Sequence, residues 1–383
     1  MNATELVTIV KRGEDSSHQF KETVKDAKKL ADEMVAFSNS RGGTIIIGVD
    51  NNGKICGLNQ QEIEKINQHI SNAATNNVRP AINVLSENIE VNGKTLISVF
   101  VNEGINKPYC NNEGAFWVKN GADKRKVTSP EELQRLFQST GNIYADEAPI
   151  EGTSKDDVNL DKLNDYFQKV YKRDFTEINH SVDSLLVKLN LAKNGKLNLG
   201  GLLLFGKHPS RFRPAFIIKA ISFFGNDPTE REYRDSEDIE GDLKRQYTDG
   251  MAFLLRNLKK TQQGQHFNSL GILEVSQIAL EEILQNALIH RDYFKNAPVR
   301  IFIFENRIEI ISPGRLPNSL TVENIKFGNS AIRNALLASF AAKMLPYRGL
   351  GLGIVNALKD QPNIEFYNDE TGDQFKVVIP RPG

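Results

Sequence analysis

Tyr347-Arg-Gly-Leu-Gly-Leu-Gly-Ile354 decides how the C-terminal part of this chain is read, and its partner is Glu282-Ile-Leu-Gln-Asn286 upstream. Three glycines at alternate positions, followed by the apolar Ile354, Val355, Ala357 and Leu358, predict a tight loop that opens a helix. Backbone N–H groups at such a junction can meet phosphate. Glu282 and Asn286 stand four apart in a helical pattern and so share one face. A carboxylate and a carboxamide placed this way can hold a magnesium ion and a water. Either element alone is commonplace. In this order and combination they predict a nucleotide site.

The pair resembles the N-box and second glycine box of GHKL-type ATP-binding domains, the group of gyrase B, Hsp90, histidine kinases and MutL. The longer strings Glu282-Ile-Leu-Gln-Asn-Ala-Leu-Ile-His-Arg-Asp-Tyr293, Ile310-Ile-Ser-Pro-Gly-Arg-Leu-Pro317 and Arg333-Asn-Ala-Leu-Leu-Ala338 resemble its divergent RecG C-terminal-like branch. The resemblance implies that Asn286 ligates Mg²⁺ and that Glu282 orients or deprotonates the attacking water, in preference to Glu281, which lies about 100° away around the helix. It also implies that Arg291, Gly314, Gly349, Gly351 and Gly353 contact the nucleotide, and that Asp292 caps a turn. One departure bears on the base. GHKL proteins use Asp-x-Gly-x-Gly for the adenine amino group, and here the segment reads Ser312-Pro-Gly314. ATP with Mg²⁺ is the expected ligand, with GTP or a non-adenine ligand left open. His290-Arg-Asp292 does not signal a protein kinase, because no lysine strand or Asp-Phe-Gly accompanies it.

Lys+Arg and Asp+Glu both number 48, so any nucleic-acid surface must be local. At 383 residues the chain is long enough for two or three cores. Cys56 and Cys110 share no metal-ligand spacing and read as reduced thiols. Neither a leader peptide nor a membrane-length apolar run is visible, which predicts a cytoplasmic protein with no membrane partner.

The pattern predicts an α+β protein in three parts: an α+β domain over 1–140, a linker and mixed α/β region over 141–265, and a C-terminal domain over 266–383, for which the GHKL resemblance implies an α/β sandwich. In the first part a helical period covers 22–40, a second helix 60–74, and Asn92-Gly93 joins two strands in a hairpin. Ala115–Lys119 reads as a strand, and 130–139 as a helix. Linker signals lie at Gly141–Thr153 and Gln262–Asn268. Between them come helices near 158–172, 180–191 and 239–260, with strands at Gly200–Gly206 and Pro214–Phe224. The last part reads as a helix over 272–290, strands Val299–Phe304 and Arg307–Ser312, the glycine-loop helix, and a strand Phe375–Pro380.

Gly13-Glu-Asp-Ser-Ser-His-Gln-Phe-Lys-Glu22, Ala36-Phe-Ser-Asn39, Arg41-Gly-Gly-Thr-Ile-Ile-Ile-Gly-Val-Asp50 and Phe116-Trp-Val-Lys-Asn-Gly121 together resemble the AlbA_2 domain shared by Schlafen proteins. Beside a GHKL-like domain it implies the architecture of bacterial ATP-binding regulators, transcriptional or defence-type, that contact DNA or RNA and assemble as homo-oligomers. Lys21, Lys25 and Arg41 crowd the first long helix and its flanks, and Lys119, Lys124, Arg125 and Lys126 crowd a later loop. Such clusters suit phosphate contacts, whose strength comes from counterion release. Nuclease-active Schlafens carry three carboxylates. Here Glu14 and Asp50 fall on two of the positions and Gln19 on the third, so binding without cleavage is expected. Two other readings stay open: a nucleotide-gated nuclease using Glu14 and Asp50, and a protein-recruiting module with structural ATP.

Overall fold

A computed structural model describes residues 2–50, 52–138, 143–177, 180–261, 271–317, 320–347, 349 and 351–382. The chain divides into two units, Met1–Ile143 and Tyr144–Gly383. In the first, α1 (Ala3–Arg12) opens on a capping box in which Asn2 and Glu5 each accept the other's backbone N–H. β1 (His18–Lys21) runs parallel to β2 (Gly43–Ile47), and α2 (Ala27–Asn39) supplies the crossover that a parallel pair requires. α2 begins later than the predicted 22 because Asp26 caps it, accepting from Lys28 N–H. After α3 (Gln60–Asn72) comes the predicted hairpin of β3 (Val84–Val91) and β4 (Lys94–Val101). Asn92 and Gly93, with φ of 51° and 75°, make the primed turn that matches strand twist.

The sheet order is β1-β2-β4-β3. Ile45, Ile46 and Ile47 are all fully buried although they point alternately to opposite faces. Ile45 and Ile47 join the core under α2 and α3, while Ile46 joins Leu6 and Val10 of α1. Both faces of the sheet are therefore covered, which is why the strand reads as a continuous apolar run. β5 (Trp117–Asn120) and β6 (Asp123–Lys126) form a separate hairpin, β5 packing on α2, and α4 (Pro130–Gln138) follows.

The second unit opens with α5 (Leu160–Tyr171), α6 (Val182–Lys188) and α7 (Leu199–Phe205). The last corrects the expected strand at Gly200–Gly206. A short run that is apolar throughout has no period to separate strand from buried helix. Asn198 decides it by capping, its side chain accepting from Gly201 N–H at 2.7 Å. Gly201 is required there, since a Cβ would lie 2.2 Å from the Leu191 carbonyl oxygen.

Next come β7 (Ile218–Phe223), β8 (Tyr233–Ile239), α8 (Leu243–Asn257), α9 (Gln277–Ile289), β9 (Val299–Ile303) and β10 (Arg307–Pro313). α10 (Ala335–Met344), α11 (Gly353–Asp360), β11 (Glu365–Asp369) and β12 (Gln374–Pro380) complete the unit. One six-stranded sheet runs β8-β7-β9-β10-β12-β11. The region expected over 141–265 has no such sheet of its own: β7 pairs in parallel with β9, Ile218 to Val299 through Ser222 to Ile303. A single core accordingly runs from Ala145 to Ile379. The expected break at Gln262–Asn268 lies outside the described residues, as do Gly141 and Asn142 of the expected linker. The chain is α+β. Among the described residues no helix is long and apolar enough to cross a membrane.

Candidate functional site

α9 is buried at Ala279, Leu280, Ile283, Leu284, Gln285, Ala287, Leu288 and Ile289, which packs most of its circumference. Glu282, Asn286 and His290, spaced by four, form the strip that faces a cavity of about 220 Å³. Asn286 Nδ2 donates to the Glu282 carbonyl at 2.8 Å. That back-bond fixes the amide.

The glycine loop closes the opposite wall. Gly349 and Gly351 adopt φ of 67° and 73°, where a side chain would be strained. Gly353 is needed for a different reason: a Cβ there would lie 2.5 Å from Glu282 Oε2 and 3.2 Å from Asn286 Nδ2. A side chain there would have to push the Glu282 carboxylate aside for α11 to keep this approach to the α9 strip. Leu352, at the N-cap of α11, supplies no side-chain cap, so the first-turn N–H groups are left without a capping acceptor.

Ile310, Leu320, Ile325, Phe366, Phe375 and Val377 line the apolar side of the cavity. Ser312 also lines it, but its hydroxyl donates to the buried Ala287 carbonyl at 2.9 Å. Glu282 is the sole carboxylate among the described lining residues, whereas Arg315 and Arg333 both reach the cavity. Arg333 Nη2 donates to the Arg315 carbonyl at 2.7 Å, and burial pulls its pKa down. His290 Nε2 and the Tyr347 hydroxyl are 3.2 Å apart. The imidazole is walled in, although the residue keeps some exposed surface. Burial, then Arg333, pushes its pKa to about 4.

In the first unit the charged residues meet one another. Gln19 Nε2 donates to Glu14 Oε1, which also accepts from Phe20 N–H at 2.6 Å. Gln19 Oε1 accepts from Lys119 Nζ at 2.8 Å. Burial lowers the Lys119 pKa, with Glu33 and Glu14 opposing it. Glu33, 4 % exposed on α2, takes Lys21 at 3.1 Å and Lys124 at 3.2 Å on one oxygen. Its other oxygen is buried without a hydrogen-bond partner. The Asp50 carboxylate closes its own turn, accepting from Asn52 and Lys54 N–H at 2.9 and 2.8 Å.

Residues 14–128 match the model of the Schlafen AlbA_2 domain, and residues 296–379 match that of the "Putative ATP-dependent DNA helicase recG C-terminal". The chain pairs a Schlafen AlbA_2 domain with a RecG C-terminal-like domain. Residues 134–218 match a domain of unknown function (DUF8451). No curated protein matches. A crystal structure of the DIP2311 protein from Corynebacterium diphtheriae is 20% identical over 96% of this chain, with a TM-score of 0.46. This chain spans 65% of that one. The solution structure of the N-terminal domain of a RecG-related protein from Nitrosomonas europaea is 23% identical, covering 34% of this chain and 96% of that one, with a TM-score of 0.26.

The cavity beside the RecG-like segment brings together Glu282, Asn286, Gly314, Gly349, Gly351 and Gly353. Arg291 is the exception and corrects an expectation. It is 2 % exposed, donates to the Lys295 and Ala297 carbonyls, and stacks on Phe216 and Tyr293 at 4.4 and 4.8 Å. The residue after His290 turns into the core. Asp292 does cap the turn, accepting from Phe294 N–H at 3.0 Å. Arg315, Arg333, His290 and Tyr347 escaped the sequence reading, although His290 stands four after Asn286 and was legible on that ground.

In the AlbA_2 domain, Lys21 and Lys124 pair with Glu33, Arg125 with Glu132, and Lys119 is half-sequestered on Gln19. These four were expected to face nucleic acid, and carboxylates or an amide hold them instead. Lys25, Arg41 and Lys126 are exposed and have no carboxylate partner among the described residues. Among the described residues, no group of three or more His, Cys, Asp or Glu could hold a metal ion. Glu14 is engaged by Gln19 and the Phe20 N–H, and Asp50 by the N–H groups of its own turn.

Proposed function

We propose that the Tyr144–Gly383 unit binds ATP with Mg²⁺ and hydrolyses it slowly, and that the AlbA_2 domain contacts nucleic acid through Lys25, Arg41 and Lys126. The observation that carries the nucleotide reading is the approach of Gly353 to Glu282 and Asn286. It puts N–H donors without a side-chain cap, a carboxylate and the Asn286 carboxamide around one cavity, as a triphosphate with its cation demands. Mg²⁺ keeps several waters and takes few protein ligands alongside substrate phosphates, so Asn286 Oδ1 fits it without an acidic cluster. When bound, the ion neutralises phosphate charge. The protein's own contribution is to seat the base among Ile310, Phe366 and Val377 and to receive a water proton on Glu282.

Calorimetry with MgATP tests this reading. Asn286→Ala should abolish Mg²⁺-dependent binding, and Glu282→Ala should bind without turning over. Equal MgATP affinity in the wild type and Asn286→Ala would sink the assignment. For the AlbA_2 domain the expected behaviour is weak, salt-sensitive binding with no strong sequence preference and little or no cleavage.

A further inference from the structure

Among the described residues, the strands line the cavity with Ile310, Ser312, Phe366, Phe375 and Val377, and Ser312 alone of these is polar. They form one surface. Ile310 and Ser312 stand two apart on β10 and share a face. Val377 is the cross-strand partner of both Ile310 and Phe366, and Phe375 is that of Ser312. The Phe366 and Phe375 rings lie 6.2 Å apart and 25° from parallel, a flat apolar surface against which a planar heterocycle can lie. Ser312 has one proton, and it goes to the Ala287 carbonyl at 2.9 Å, which can only accept. Ala287 belongs to the last turn of α9, where carbonyls lack helical partners. Tyr293 and Asn334 serve Leu288 and Ile289 in the same way. Withdrawing the Ser312 proton would leave a buried acceptor unpaired, so what Ser312 can offer a ligand is a lone pair.

We infer that Ser312 is the specificity-determining residue of this cavity, selecting a purine with an amino group at C6 over one with a carbonyl there. This rests on the ATP reading of the same cavity and adds which edge of the base is read. An amino group donates to the Ser312 oxygen. A carbonyl sets lone pair against lone pair, and a bare hydrogen makes no bond at all. The apolar residues around Ser312 attract any purine through area and dispersion and tell none apart. Discrimination therefore falls on one hydroxyl. As a neutral acceptor it gives a modest preference rather than an absolute one.

The test uses the full chain, calorimetry with Mg²⁺ and three triphosphates. ATP carries the amino group, purine riboside triphosphate a hydrogen in its place, and ITP a carbonyl. Purine riboside triphosphate should bind about 10-fold more weakly than ATP, the worth of one hydrogen bond. ITP should bind about 30-fold more weakly, because a repulsion is added. Ser312→Ala removes the acceptor and should bring all three within about 3-fold of one another. It also strips Ala287 of its donor, but a general loosening would weaken the three alike, so the ratio is the readout. Ser312→Thr keeps the hydroxyl and should keep the order. ITP or purine riboside triphosphate binding wild type as tightly as ATP would overturn the inference with no variant needed. So would an undiminished preference for ATP in Ser312→Ala. A wild-type protein that binds none of the three would overturn the ATP reading and this inference with it, whereas one that binds all three alike overturns the inference alone.

Discussion

Asp146→Asn and His290→Gln should tilt the pH dependence of stability in opposite directions. Asp146 is fully buried and serves as a cap supplied from outside α10: its Oδ2 accepts from Leu337 N–H at 2.9 Å, while Oδ1 is buried without a partner. Burial outweighs that bond and raises its pKa from 3.8 to about 6. The native state then binds a proton that the unfolded chain has released. The stability so gained is fully present below about pH 4 and is lost as pH rises through about 6. His290 works the other way. Its pKa falls from 6.5 to about 4, so its contribution is present above pH 6.5 and is lost as pH falls through about 4. At about 1.4 kcal/mol per pKa unit, each amounts to at most about 3 kcal/mol, and across pH 4 to 6.5 they offset each other. Removing Asp146 should leave stability rising with pH by about 3 kcal/mol relative to wild type, and removing His290 should leave it falling by as much. In urea that is a midpoint displacement of about 1–2 M. The sole tryptophan, Trp117, lies in the other unit, so circular dichroism follows the transition while Trp117 fluorescence serves as a control that should not change. Parallel profiles for Asp146→Asn and wild type would show that this carboxyl titrates normally and that the argument fails.

Gly353→Ala should separate stability from turnover. The new methyl meets the movable end of Glu282, and alanine favours the helix by up to about 1 kcal/mol, so the melting temperature should hold. Hydrolysis should drop about 100-fold because the carboxylate is displaced by about an ångström; unchanged turnover would remove Glu282 from the reaction. Lys124→Ala leaves Glu33 with one partner fewer and should destabilise the first unit by about 1–3 kcal/mol, read by the fluorescence of Trp117, over which Lys124 sits at 5.3 Å. Lys126→Glu should leave stability unchanged and flatten the salt dependence of nucleic-acid binding by about one unit. If Lys124→Ala alters the salt slope while Lys126→Glu does not, the division between structural and binding lysines is wrong.

Local chemistry made some of this legible in advance. Asn92-Gly93 announces its hairpin because few other dipeptides take positive φ twice in succession. The Glu282–Asn286 strip follows from helical spacing alone. β8 was invisible, since Tyr-Arg-Asp-Ser-Glu-Asp-Ile is an edge strand exposed along most of its length and its composition is that of a loop. α7 was misassigned because uniform apolarity erases the period. Among the charges, sequence supplies sign but not distance. Glu33 lies in a helical stretch rich in lysine and looks solvated, and only the fold buries it, with β1 bringing Lys21 and the β5–β6 hairpin bringing Lys124 against α2. Arg291 differs from His290 by one position, and that step turns it from the cavity into the core.

The shared sheet bears on how this gene can be cut. The RecG-like match begins at residue 296, beyond Glu282 and Asn286, so a clone trimmed to it would lack α9 entirely. One begun near 266 would keep α9 but strip Ile218–Ser222 from the side of β9, baring backbone donors and acceptors along a strand whose side chains are largely apolar. Such a fragment offers an adhesive rim to its own copies. Failure to bind ATP in a preparation of that kind would report aggregation rather than the chemistry of the pocket. The span 144–383 keeps every strand of the sheet, the Asp146 cap and the cavity wall in one polypeptide, so a negative result on it carries information.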